Sequence, residues 1–185
     1  MTTVDLPRPE VPACVAVVRD FVNTTDRETG TDELVSGADL ARYLEREGLL
    51  AGSARATSAD LALAMRLRTG LRRALEQNHD GEAGDVPELA QALRELPVQL
   101  DWLDGRPVAR ARASGVRAAL ARIGLAAQEA ASEGLWWRLK ICSWDECEWA
   151  YYDHSRNRSR AWCEYGCGNK VKTRAYRARQ RAHAT

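Results

Sequence analysis

The chain has 185 residues, 45% of them apolar and 29% charged, and its formal net charge is +1. That length suits one domain, or a larger and a smaller one, and no apolar run approaches the eighteen or more residues of a membrane helix. The stretch from Met1 to Glu10 has no basic-then-apolar run, so it reads as no signal peptide, and the expected location is the cytoplasm.

The first helix is expected over Val11 to Asn23, with Cys14, Val15, Val17, Val18, Phe21 and Val22 on a wide apolar face. Cys14 reads as a small core residue, and Asn23 as a helix-terminal hydrogen-bonding group. Asp26 to Ser36 reads as a loop. A short helix follows over Asp39 to Glu47, capped by Ser36 or Gly37 and stopped by Gly48. Thr57-Ser58-Ala59-Asp60 starts a long helix, Ala59 to Asn78, whose buried stripe is Leu61, Met65, Leu67, Leu71 and Leu75. Its arginines, Arg66, Arg68, Arg72 and Arg73, are expected on the outer face, solvated or paired. Another helix spans Val86 to Leu96.

The period then changes. Asp104-Gly105 sits between Pro97–Leu103 and Arg106–Val108, which read as two short strands of a hairpin. Helical spacing returns over Arg110 to Glu133 and stops at Gly134. None of these segments carries a phosphate loop, a Ser/His/Asp constellation or a His-x-x-x-His pair, so nothing suggests an enzyme. His79, His154 and His183 all lie in polar, loop-like or terminal contexts.

Charge divides the chain. Residues 135–185 hold eleven Lys and Arg against five Asp and Glu, a formal +6, and the remaining residues carry −5. An acidic body and a basic tail suggest separate tasks, the tail meeting a polyanion. Eight aromatic residues fall between positions 135 and 165: Trp136, Trp137, Trp144, Trp149, Tyr151, Tyr152, Trp162 and Tyr165. Trp136–Ile141 and Glu148–Tyr152 read as strands about a turn at Asp145-Glu146. Most of the aromatics are expected to pack over that hairpin.

The tail also holds Cys142, Cys147, Cys163 and Cys167, spaced C-x4-C, fifteen residues, C-x3-C. Two close thiolate pairs are the ligand set of a closed, tetrahedral, structural zinc site. Two disulfides in an oxidising compartment, or an iron–sulfur cluster, would use the same residues. With one Zn²⁺ the site carries about −2, which lowers the tail's charge from +6 to about +4.

After the last cysteine, Asn169 reads as the N-cap of a helix from Lys170 to about Ala182. Lys170, Arg174, Arg177 and Arg181 form one cationic stripe on it. Val171, Ala175, Ala178 and Ala182 form an adjacent small-residue stripe suited to packing on the hairpin, and Lys172, Tyr176 and Arg179 form a third face. Arg156, Arg158 and Arg160, in the loop before Trp162, are further phosphate-contact candidates. Asp153 reads as an internal partner for one of these arginines.

Asp153-x-Ser155-Arg156-Asn157-x-Ser159-Arg160-x-Trp162-Cys163, followed by Cys167-Gly168-Asn169-Lys170 and a basic helix, resembles the CGNR-type zinc finger of bacterial proteins. Lys170 stands where the signature has arginine, which keeps the charge and loses the bidentate fork. In that family the finger follows an N-terminal ABATE domain, described as a stress-induced transcription regulator. Phe21-Val22-Asn23-Thr24 is similar to the start of that domain. The resemblance implies DNA binding by the finger and transcription regulation by the whole.

The expected fold is therefore mainly α. A helical N-terminal domain with a small β-hairpin, residues 1–134, regulates or dimerises. A treble-clef-like zinc finger of hairpin and basic helix, residues 135–185, binds double-stranded DNA. A homodimer would double the half-site of one small finger, and the N-terminal domain is the available sensor for a small-molecule effector. A zinc-scaffolded protein–protein adaptor and an RNA-binding protein are the rival readings.

Overall fold

A computed structural model describes residues 10–52, 54–112 and 114–183, with side chains described through Arg181. Residues 1–9, which carry most of the signal-peptide question, and the side chains of Ala182 and His183 lie outside the described residues.

Helix α1 (Ala13–Val22) buries Cys14, Val15, Val18, Phe21 and Val22, at the spacing of one helical face. A two-rung ladder of β1 (Thr25–Asp26) and β2 (Thr31–Asp32) follows, where a plain loop was expected. Helix α2 (Gly37–Arg46) is capped by Ser36, whose hydroxyl accepts the Asp39 N–H at 3.2 Å. Helix α3 (Ser58–Asp80) is the longest. A reciprocal capping box opens it: the Thr57 hydroxyl accepts the Asp60 N–H, and the Asp60 carboxylate accepts the Thr57 N–H. Gly81, at φ 74°, closes it.

Leu63, Leu67, Leu71 and Leu75 of α3 run through the core and meet α1, α2 and α5 (Val116–Ser132). Helix α4 (Pro87–Arg94) crosses α3 at Gly70, where a Cβ would stand 2.7 Å from the Leu89 Cα. Only glycine permits so close a crossing. The hairpin of β3 (Val98–Leu103) and β4 (Arg106–Ala111) turns on Asp104 and Gly105, both at positive φ (51° and 76°), as a two-residue primed turn requires. Pairing continues to Val98↔Ala111. Strand β4 therefore claims residues 110 and 111, which helical spacing had assigned to the next helix, and α5 starts only after Gly115.

Beyond Gly134 a 3-10 turn, Trp136–Arg138, leads into β5 (Leu139–Ile141), which pairs with β6 (Ala150–Tyr152). Both strands are shorter than expected: the tryptophan pair occupies the 3-10 turn before β5, and Glu148, at φ 46°, still belongs to the turn before β6. The pleat divides this small hairpin between two cores. Leu139, Ile141 and Ala150 join the leucine core of the helical body. Lys140 and Tyr151, directly paired across the strands, face the other way, and Tyr151 packs among the four cysteines.

Two arginines of α3 depart from expectation. Arg68 is only 8% exposed. It donates to the Thr24 hydroxyl at 2.9 Å and to both Asp32 oxygens at 2.8 and 2.6 Å. Arg72 donates to the Val22 carbonyl at 2.9 Å and to the Glu148 carbonyl at 2.5 Å. Arg66 and Arg73 do lie outside, paired with Glu95 and Glu88. Ala64, Arg68, Leu71 and Leu75 share one helical face, so Arg68 belongs to the buried stripe and is compensated there by β2.

Candidate metal centre and nucleic-acid interface

Cys142 follows β5 directly, and Cys147 sits in the turn before β6. The Cys142 N–H donates to the Trp149 carbonyl at 2.9 Å, and the Cys147 N–H to the Trp144 carbonyl at 2.8 Å. Glu148, at φ 46°, lets this knuckle close. Cys163 ends the following loop. Cys167 is the first residue of α6 (Cys167–His183), after Gly166 at φ 78°. The helix begins three residues before the expected start, so Asn169 lies inside its first turn. Gly168 lies close under the Trp162 ring: a Cβ would come within 3.2 Å of it, so the ring would have to shift by a few tenths of an ångström.

All four sulfurs are buried and lie within 4.8 Å of one another. Cys147 and Cys163 are 3.8 Å apart, and Cys163 and Cys167 3.4 Å. Four bonds of about 2.3 Å to one zinc set sulfurs about 3.8 Å apart in a tetrahedron. These separations exceed any disulfide bond, and a polynuclear iron–sulfur core would hold the thiolates farther apart. The residues fit one zinc ion, as four ligands that leave no open position. The protein groups by themselves push Cys142 toward the thiolate and Cys147 and Cys163 toward the thiol. Hydrogen bonding from Cys163 pushes the Cys142 thiol down to about 5, and burial pushes Cys147 up to about 12. Cys163 is also raised, by the hydrogen bond that holds its proton and then by burial. A dication is what lets four thiolates sit together.

Tyr151 lies within the cysteine cluster, and Trp144, Trp149 and Trp162 pack on it; Trp136 and Tyr152 pack on the body core. Trp137 and Tyr165 stay exposed. Beneath the site, Lys140 donates to Asp153 at 3.0 Å, both side chains being almost wholly buried. Asp153 also accepts the Ser155 N–H at 2.9 Å and the Arg160 N–H at 3.0 Å. Burial alone would raise its carboxyl; these hydrogen bonds outweigh burial and hold it below the ordinary 3.8. The charged partner of Asp153 is thus a lysine; of the loop arginines, Arg160 meets it through its backbone N–H and not its guanidinium.

The finger is bolted to the body. Asn23 exchanges two hydrogen bonds with the Ala150 backbone, at 2.9 and 2.8 Å. Asn78 donates to the carbonyls of Trp136 and Leu139 at 2.8 and 3.0 Å. Asn23 therefore does more than finish its helix.

Lys170, Arg174, Arg177 and Arg181 line one groove of about 700 Å³, whose opposite wall carries Trp144 and Glu146. The Lys170 ammonium stands 4.5 Å from the Trp144 ring centroid and 2.7 Å from a Glu28 oxygen. Arg174 pairs with Glu146 at 2.6 Å.

Two sequence models match the chain. The CGNR zinc finger covers residues 138–180, and ABATE, described as "putative stress-induced transcription regulator", covers 16–134. The chain belongs to the ABATE family. Its cysteine cluster is a CGNR zinc finger. No curated protein matches it. Among the described residues of this ABATE protein, no helix is long and apolar enough to cross a membrane.

The sequence-expected cations divide in the ABATE protein's finger. The stripe of four shares the groove, as the helical repeat demands. Lys172 is exposed on another face of α6, and Arg156 and Arg158 are exposed on the loop. Arg160 serves the fold: it donates to the carbonyls of Trp162 and Cys163 at 2.8 and 3.2 Å and lies 6.0 Å from the Tyr151 ring centroid. The small-residue stripe does not pack on the hairpin; Ala175 and Ala178 are exposed, and α6 projects beyond its first turn. Sequence reasoning missed Lys140, Asn78 and Arg72. Lys140 stands between Leu139 and Ile141, and Asn78 continues the phase of Leu71 and Leu75. A polar residue in register with buried ones was the available signal for both.

Proposed function

We propose that this chain is a zinc-dependent transcriptional regulator of the cytoplasm that binds double-stranded DNA through its finger. The ABATE half pairs two copies and senses a small-molecule effector. The observation that carries the reading is the cationic groove along α6. The pairs Lys170–Glu28 and Arg174–Glu146 are about half exposed or more. Ion pairs this exposed are weak and screened by salt, so phosphates displace the acids easily. Arg156, Arg158, Lys172 and Arg177 have no side-chain acceptor among the described residues. Zinc fixes the first turn of α6 through Cys167, and the hydrogen bonds of Asn23 and Asn78 fix the finger on the body, so the cations are presented from a rigid base. Phosphate contacts would supply most of the affinity by counterion release.

One finger carries little sequence information, since single modules of this size bury only about 600–1,000 Å². A two-fold pair of chains doubles it. Support comes from the β3–β4 hairpin, which exposes Val98, Leu100 and Trp102 on one face, 44, 75 and 72% accessible.

Selection of bound sequences from a random duplex pool tests this, with zinc-loaded protein beside Arg174→Ala and Arg177→Ala. The expected outcome is an enriched motif with two-fold symmetry that both variants lose. No motif, with preference for single strands or for an acidic protein partner, would replace the proposal with RNA binding or an adaptor role.

A further inference from the structure

The hairpin of β3 and β4 belongs to neither the zinc site nor the cationic groove, and its two edges differ. Bonded and non-bonded residue pairs alternate along an antiparallel ladder. The two-residue turn makes Leu103↔Arg106 a bonded pair. At the other end the Arg112 N–H donates to the Pro97 carbonyl at 2.7 Å. Both ends set the same phase: Leu103, Asp101 and Gln99 bond to β4, while Val98, Leu100 and Trp102 turn their backbone groups outward. On β4 the outward positions are Pro107, which has no N–H, Ala109, and Ala111, which packs on the body core. Among the described residues β3 pairs with β4 alone, and it carries neither proline nor lysine, the usual guards of a free edge.

A second copy of the same edge complements it. Two β3 strands related by a two-fold axis run antiparallel, and two registers engage the Leu100 and Trp102 donors entirely within β3. Centred on Asp101, the two Asp101 carboxylates face each other in a non-bonded pair, where strands come closest, and repel. Centred on Leu100, Asp101 faces the neutral Gln99 of the other copy. The two Leu100 residues then exchange both backbone bonds at the axis. The Val98 N–H is already given to the Leu96 carbonyl at 3.0 Å, but the Val98 carbonyl remains to accept the Trp102 N–H of the other copy. Val98, Leu100 and Trp102 share one face and are 44, 75 and 72% accessible. This register sets each Trp102 opposite a Val98, an aromatic on a β-branched side chain.

We propose that two copies of the chain join through the free edge of β3, antiparallel and centred on Leu100, so that their hairpins form one continuous sheet. This gives a surface and a register to the pairing of two copies proposed above, and rests on that reading.

The test is sedimentation equilibrium of the full zinc-loaded chain without DNA, which should show a reversible dimer. Leu100→Pro removes a donor that the hairpin itself does not use, at an edge position where proline is tolerated, so this variant should fold and keep its zinc. Its dimer dissociation constant should rise at least about tenfold, because both bonds at the axis are lost. Leu100→Ala keeps the N–H and should weaken the dimer less. Mild oxidation separates the registers. The five native cysteines are buried, so the wild-type chain should stay unlinked. Leu100→Cys should link two chains, since the Cα atoms of a bonded pair lie about 5.5 Å apart, within disulfide reach. Asp101→Cys should not. A dimer indifferent to Leu100→Pro, no link in Leu100→Cys, or a link in Asp101→Cys instead would each overturn the edge or its register while leaving the pairing of two copies intact. A strict monomer at every concentration would overturn both.

Discussion

The two halves of this protein solve the same stability problem by different means. The ABATE body buries Phe21 and a ladder of leucines from α2, α3 and α5, each almost fully shielded from water. Its cohesion comes from apolar area and close packing. The finger has almost no aliphatic interior. Its core is four sulfurs, Tyr151 and three partly buried tryptophans, and beneath them a buried lysine–aspartate pair. Small units that cannot bury enough apolar surface depend on metals or ion networks, so the finger is held by a few strong, specific interactions. The lesson is one of tolerance. The body can absorb a lost methyl group. The finger cannot absorb a lost ligand or charge.

The largest expected effect comes from the metal. Cys163→Ser, or a strong chelator, should release the loop before Cys163 and the first turn of α6, while the body stays folded. Structural zinc in isolated fingers is worth roughly 10–16 kcal/mol. Hydrogen exchange should show fast amides from Cys142 to the end of α6 and protected amides in α3. Simultaneous melting of α3 would erase the proposed contrast, because β5 and β6 would then be transmitting the loss into the leucine core.

Next comes Asp153→Ala, which leaves Lys140 buried and unpaired. Breaking a buried pair in this way costs about 3–5 kcal/mol, measurable by urea denaturation with zinc content monitored. The acid response has a defined sign. The Asp153 carboxyl lies below its ordinary 3.8, so its contribution is complete above that pH and fades as pH falls through the lower folded value. Asp153→Asn should therefore differ most from wild type near neutrality and converge with it in strong acid. A constant difference across that range would mean that shape rather than charge matters at this position.

In the body, Leu67→Ala should cost about 2–5 kcal/mol and leave zinc stoichiometry at one. The residue is wholly buried, but its neighbours are replaceable leucines. Smaller again is Asn23→Ala, which orphans the buried N–H and C=O of Ala150. Roughly 1–3 kcal/mol is expected. Its signature should be faster exchange of the Ala150 amide and looser coupling of finger to body, not general destabilisation. A uniform loss over all helices would show that finger and body unfold as one.

Much of this was legible in the sequence, for physical reasons that differ by region. The 3.6-residue repeat of α1 and α3 and the Asp104-Gly105 turn are local signals, and they locate their elements to within a few residues. The cysteine spacing is a chemical signal, and it located all four ligands. Two kinds of feature stayed hidden. Compensation at a distance was one: Arg68 is tolerable inside only because Asp32, thirty-six residues away, meets it, and no local pattern announces that. The other was sharing between cores. β5 looks like part of a self-contained finger, but alternate residues serve the body. The boundary between the family matches, at 134 and 138, is therefore not a boundary in the packing. Asn169 misled because a good capping residue stood one turn inside a helix that the metal ligand Cys167 begins.

The role proposed for zinc is to mount a cationic helix rigidly enough to grip DNA. Its most direct test is fluorescence anisotropy on a labelled duplex over a range of salt, comparing the zinc-loaded chain, Arg177→Ala and Cys163→Ser. A steep linear fall of log affinity with log salt is expected, of slope about −0.9 per phosphate engaged. Arg177→Ala should lower that slope by about one unit at unchanged stability, and Cys163→Ser should abolish tight binding. Affinity indifferent to salt, or equal in the cysteine variant, would contradict the account.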